Sequence, residues 1–231
     1  MALSSLDILL FNCYNTIMKQ TRLDQLSDGI FAIVMTVLIF EIRVPEYFGI
    51  VSDRTLINYL ISMYPVLLSY VLSFSLLFTY WRSHHLTASV FAKNIDVPFS
   101  NINGFFFFFV ALVPFSAHFL GRYIDSKTAI IFFAINIIMI GLSLYKMRRY
   151  AIKSKTIENM PFTKTENEHA MAHILFPVIS AIIAIAVSFV STEIAIFFFT
   201  IAILFNLSKN GTKYMFYIVD KFRASQKEEL V

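Results

Sequence analysis

Charged residues divide this 231-residue chain into five long uncharged stretches. Asp28 and Glu41 bracket the first, GIFAIVMTVLIF. Arg54 and Arg82 bracket the second, Asp96 and Arg122 the third, and Lys127 and Lys146 the fourth. The fifth runs from Ala170 to Ser208 and is broken only at Ser191-Thr192-Glu193. A helix crosses the hydrocarbon with about 20 residues, so this last block is too long for one span and fits two. The pattern predicts an all-α integral membrane protein with six transmembrane helices, at 24–43, 55–81, 99–120, 127–147, 171–190 and 193–215.

The first of these helices differs from the rest. Its charge-free core is only Gly29–Phe40, fewer than the roughly 17 residues that span lipid comfortably. Asp28 and Glu41 must then sit near the ends of the span, or inside it facing water or protein. A helix so poorly suited to lipid is the one expected at the centre of an assembly. It contains no proline before Pro45, whereas the second, third and fifth helices carry Pro65, Pro114 and Pro177. At about 100° per residue, Leu26, Ile30, Ile33, Val37 and Phe40 share one face, with Thr36 at its edge. Taken alone, that stripe is ordinary helix packing.

Composition agrees with the pattern. Hydrophobic residues make up 58% of the chain and charged residues 15%, against about 25% charged in a soluble domain. Lipid must therefore solvate much of the surface. The net charge of +4 does not point to nucleic acid, because the basic residues lie between apolar runs instead of in one patch. The single Cys13 excludes a disulfide framework. Of the 19 Lys and Arg, only Arg43, Arg54, Arg122 and Lys127 fall opposite the side shared by the termini and the 2–3 and 4–5 loops. The positive-inside rule places both termini in the cytoplasm of a multi-pass protein of the cell membrane. The N-terminus lacks the features of a cleaved signal peptide. No linker or nucleotide-binding motif marks a second domain, so 22–218 is read as one membrane domain. Residues 1–21 form a cytoplasmic or interfacial segment and 219–231 a cytoplasmic tail. The basic start of the 4–5 loop is expected to meet anionic headgroups.

Three motifs then narrow the function. Arg22–Gly29 reads R-L-D-Q-L-S-D-G and continues I-F-A-I-V-M-T. This resembles the first-helix signature R-x-x-x-F-S-D-G, followed by F-A-I-x-x-T, of the transmembrane-protein-175 family of potassium channels. Tyr80–His85 (Y-W-R-S-H-H) resembles that family's W-x-x-H-H end of helix two, and Phe109–Phe115 (F-V-A-L-V-P-F) its third helix. The resemblance is strong over 20–122, weaker over the last three helices, and departs at Leu26, where the family usually has Phe. Prokaryotic members have one six-helix repeat.

The resemblance implies a homotetramer whose first helices line a central potassium pore without a carbonyl selectivity filter; the chain has no T-V-G-Y-G loop. Selectivity in the family is attributed to rings of bulky apolar side chains. Counting back three from Thr36 gives Ile33 as the narrowest ring, with Val37 and Phe40 further out, and these lie on the stripe derived from periodicity. An apolar ring favours the ion whose water is cheapest to distort, and potassium holds water less tightly than sodium. Thr36 supplies a hydroxyl beside the constriction. Glu41 either concentrates cations at the pore mouth or sits in water or paired with Arg43.

Arg22, Ser27, Asp28, Trp81, His84 and His85 are expected to form a structural network joining the ends of helices one and two. Adjacent histidines diverge on a helix, so His84 and His85 are poor metal ligands. Arg22 and Asp28 lie about 240° apart on one helix, so each needs a partner elsewhere; Trp81, His84 and His85 are the candidates. His118, His169 and His173 are read as interfacial. No nucleophile–base set marks an enzyme and no cofactor is implied. The expected partners are the bilayer, potassium ions and its own copies, with no nucleic acid. The other class is a secondary transporter or small-solute permease. It is disfavoured because the two three-helix halves share no motif and the first helix is unbroken.

Overall fold

The computed structural model describes residues 20–44, 52–208, 211, 213–214 and 216–221. Among them every regular element is helical except one isolated bridge, between Ala92 and Asn159. Helix α1 (Gln20–Val37) tightens into a 3₁₀ turn at Leu38–Glu41. Then come α2 (Asp53–Ser62) and α3 (Tyr64–His85), the latter prolonged by a π-helical stretch at Leu86–Phe91. Helices α4 (Val97–Ala111) and α5 (Val113–Arg122) follow, then α6 (Lys127–Lys153), α7 (Lys164–Ser188) and α8 (Thr192–Leu207).

Among the described residues five rods are long and apolar enough to cross a membrane: Gln20–Glu41, Tyr64–Phe91, Val97–Arg122, Lys127–Lys153 and Lys164–Ser188. The sixth, α8, is apolar but has 16 residues, about 24 Å of helix. Several predicted boundaries move, each for a local reason. The expected helix 55–81 is two helices. Met63 separates them, and Pro65, in the first turn of α3, has no N–H to continue the preceding ladder. The second rod then runs on to Phe91, so Arg82 lies in helix and not in the loop where charge counting put it. The third rod bends at Leu112 for the same reason, with Pro114 in the first turn of α5. The expected 4–5 loop shrinks, because α6 continues to Lys153 and a capping box between Thr163 and Glu166 starts α7 early. What remains docks onto 91–96: Lys93 N–H donates to Glu158 O (2.8 Å) and Met160 N–H to Phe91 O (3.0 Å).

Helix α6 is the hub. Ile130, Phe133, Ile137, Ile140, Leu144 and Met147 are all buried, and α4, α5 and α7 pack around it. Gly141 lets α7 and α3 approach: a methyl group there would collide with the Val178 side chain and lie 2.8 Å from Tyr80 Oη. Helix α1, by contrast, lies at the margin of the subunit. Of its span 28% is buried, against 56% for α6.

Candidate functional site: the two faces of the first helix

One face of α1 is locked to its own subunit. Leu23, Ser27, Phe31 and Val34 are buried, and Leu38 of the 3₁₀ turn extends the row. Steps of three and four residues keep them on one side. Ser27 Oγ lies 3.0 Å from His84 Nδ1, and His84 Nε2 lies 2.8 Å from Asn103 Oδ1. An amide oxygen only accepts, so these partners assign the hydrogen to Nε2, and Nδ1 accepts from the Ser27 hydroxyl. The imidazole is thus spent as one donor and one acceptor. Phe106 stacks on it at 5.0 Å, and Phe31 and Phe107 close the box at 6.3 and 5.5 Å. One polar link therefore joins α1, α3 and α4 inside an aromatic shell.

A second link lies nearer the surface. Trp81 Nε1 donates to Asp28 Oδ1 at 2.9 Å, and His85 stacks on Trp81 at 6.1 Å. His84 and His85 face different neighbours and do not converge. Arg22 is exposed, and among the described residues its side chain makes no hydrogen bond or ion pair. At the start of α1, Gln20 Nε2 sits 2.6, 2.9 and 2.6 Å from the carbonyl oxygens of Ala88, Ser89 and Ala92. Ser89 Oγ donates to Asp24 at 2.6 Å. The π-helical stretch presents these carbonyls, so Gln20 and Asp24 fasten α1 to the end of the second rod. The motif reading did not single out Asn103, Gln20 or Asp24. The two Asn of the run N-I-N-G-F-F-F-F-F were the available signal, because a buried amide needs a partner.

The opposite face of α1 is uncovered. Leu26, Ile33, Val37 and Phe40 are 53%, 63%, 36% and 70% exposed, and Thr36 lies open beside them. Ile30 leaves the stripe, since it packs partly against the core. The 3₁₀ turn brings three residues per turn, which stacks Phe40 over Val37 despite the change of helix type. The Thr36 hydroxyl donates back to the carbonyls of Ala32 (2.8 Å) and Ile33 (2.9 Å). Its hydrogen is committed to its own helix.

At the end of the rod, Glu41 Oε2 lies 2.6 Å from His118 Nδ1 on α5. The partner of Glu41 is therefore His118, not Arg43, whose carbonyl accepts from the Tyr59 hydroxyl. His118 reads as interfacial in the sequence; only the turn between rods brings it to the end of α1.

Three comparisons bear on this arrangement. A family model described as "Endosomal/lysosomal potassium channel TMEM175" matches residues 22–114, from α1 to the start of α5. A potassium channel of Chamaesiphon minutus is 28% identical over 194 residues, covering 82% of this chain and 95% of that protein. A potassium channel of a Chryseobacterium species is 26% identical over 189 residues, covering 81% and 92%. The crystal structure of a lysosomal potassium-selective channel TMEM175 homolog from Chamaesiphon minutus superposes with a TM-score of 0.67 at 25% identity. It covers 81% of this chain and 96% of that one. Over residues 22–114 the chain is similar to the TMEM175 family.

TMEM175 proteins are ion channels and not enzymes, and this chain is a multi-pass membrane protein. The stretch matched to the TMEM175 model contains every residue of the Ser27–His84–Asn103 link and of the Asp28–Trp81 pair.

Proposed function

We propose that this chain is a potassium channel in which four copies line one central path with the outward face of α1. The observation that carries the reading is the asymmetry of that helix. One face is fixed by buried polar bonds to α3 and α4, while Leu26, Ile33, Val37 and Phe40 stand uncovered on the other. Homologues named as potassium channels cover four-fifths of the chain and support the permeant ion.

In this reading Ile33 forms the narrowest ring, with Val37 and Phe40 continuing the constriction. Stacked apolar rings offer no substitute for water and can dewet, so they discriminate modestly in favour of potassium and also gate. The Thr36 oxygen, its hydrogen turned to the helix backbone, offers only lone pairs to a partly hydrated cation. Glu41, held by His118, puts four carboxylates at the mouth. The wider scheme has six spans, both termini cytoplasmic and no carbonyl filter. It rests on the charge asymmetry of the sequence and on α8 serving as a short sixth span.

Purified protein in liposomes tests it, with potassium and sodium efflux followed separately and particle mass taken by light scattering. The expected result is tetramers that release potassium faster than sodium down either gradient. Intact tetramers without potassium flux, or flux that requires a counter-transported solute, would replace the channel by an inert subunit or a transporter.

A further inference from the structure

Three rods close on a cavity of about 280 Å³, lined by Arg82, Ser83, Thr87, Arg148, His169 and His173 among others and by no residue of α1. Arg148 is only 5% exposed. Its Nε donates to Asn167 Oδ1 at 3.0 Å and its guanidinium lies over the Phe91 ring at 4.7 Å. Among the described residues the ion pairs are Glu41–His118, Lys164–Glu168 and His169–Asp220, so neither Arg148 nor Arg82 has a carboxylate partner. A buried cation without a counter-charge is costly.

Arg82 adds to the imbalance. Its Nη2 lies 3.0 Å from His173 Nε2. A guanidinium only donates, so Nε2 carries the lone pair and the imidazole hydrogen sits on Nδ1. That Nδ1 is buried and has no partner. Unfilled donors from α3, α6 and α7 thus line one space. One carboxylate, Glu166, also lines the cavity, its Oε2 accepting from the Thr163 N–H (2.7 Å) and hydroxyl (2.9 Å), and Asp220 is paired with His169 at 3.0 Å.

We propose that this cavity binds a phosphate group. Donors from three helices suit a tetrahedral oxyanion better than a planar carboxylate, and two guanidinium forks match phosphate oxygens. The phosphate is either the headgroup of an anionic phospholipid or a free phosphate. The site stands independently of whether the chain conducts.

The test uses the full chain in detergent, with thermal unfolding read against dioctanoyl phosphatidic acid, dioctanoyl phosphatidylcholine and inorganic phosphate. Phosphatidic acid is expected to raise the unfolding temperature and phosphatidylcholine to leave it unchanged. A matching rise with inorganic phosphate identifies a free-anion site; none identifies a lipid site. Arg82→Gln is expected to weaken the response roughly tenfold, the loss of one charge-assisted pair. Arg82→Lys is expected to fall between it and wild type. Arg148→Gln is expected to behave like Arg82→Gln, and if it does not fold the two Arg82 variants decide. Wild type indifferent to both phosphatidic acid and phosphate would overturn the proposal, as would equal response to phosphatidylcholine or an Arg82→Gln response equal to wild type.

Discussion

Helices α1 and α6 are both apolar rods long enough to cross a bilayer, but they are enclosed in different ways. Of α6's span 56% is buried, closed in by α4, α5 and α7 of the same chain; for α1 the figure is 28%. Lipid removes most of the difference between a hydrophobic surface that meets protein and one that does not. Apolarity therefore says little about what a membrane helix faces. The polar residues say more. Ser27 meets His84, which in turn meets Asn103, and Asp28 meets Trp81. Those bonds fix the rotation of α1, so its uncovered stripe keeps one direction. On α6 the exposed large apolar side chains are Ile135 and Leu142, two turns apart, at 49% and 43%.

The comparison is broken most severely by releasing the locked face. Phe31→Ala empties a fully buried aromatic site between His84 and Phe106. It should cost about 3–5 kcal/mol, seen as a large loss of folded protein in denaturant titration in detergent. A small loss would mean that α1 is not anchored where its inner face suggests.

On the hub side, Gly141→Ala drives a methyl into Val178 and Tyr80. Overpacking of this kind costs about 1–3 kcal/mol. Unfolding of the purified variant measures it, and a neutral result would mean that α7 shifts freely away from α6.

The effect of pH is smaller and lies outside the spans. Asp96 caps α4 through Phe99 N–H (3.0 Å) and accepts from Tyr150 (2.7 Å) and Thr156 (2.6 Å). Burial raises its pKa, but these bonds together outweigh burial and hold it below the usual 3.8. A depressed carboxyl stabilises the fold above its unfolded pKa, and the contribution fades as pH falls through the folded value. Asp96→Asn should cost about 1 kcal/mol near neutral pH and flatten the loss of stability below about pH 4. Stability profiles of the two proteins between pH 7 and pH 3 check both points.

Much of this architecture is legible in the sequence, because uncharged runs bounded by charges demand helices wherever lipid is the solvent. The helix ends are not. Arg148, Arg149 and Lys153 look like a loop by charge, yet α6 continues through them, with Arg148 buried against Phe91. Long basic side chains reach past the end of the hydrocarbon, so charge marks the membrane edge and not the helix edge. The motif residues of α1 and α3 stand out as polar positions in apolar surroundings. Their partners do not, since Asn103 and His118 meet Ser27's neighbour and Glu41 only after the rods turn back. The stripe itself follows from periodicity, except for Ile30, which the neighbouring core covers in part.

The smallest expected change in stability accompanies the most direct test of the pore. Ile33 is 63% exposed, so Ile33→Asn should alter subunit stability by no more than about 0.5 kcal/mol. In liposomes the variant should still conduct but discriminate less between potassium and sodium than wild type does. Unchanged discrimination in a folded, conducting Ile33→Asn protein would contradict the claim that the uncovered face of α1 forms the ion path.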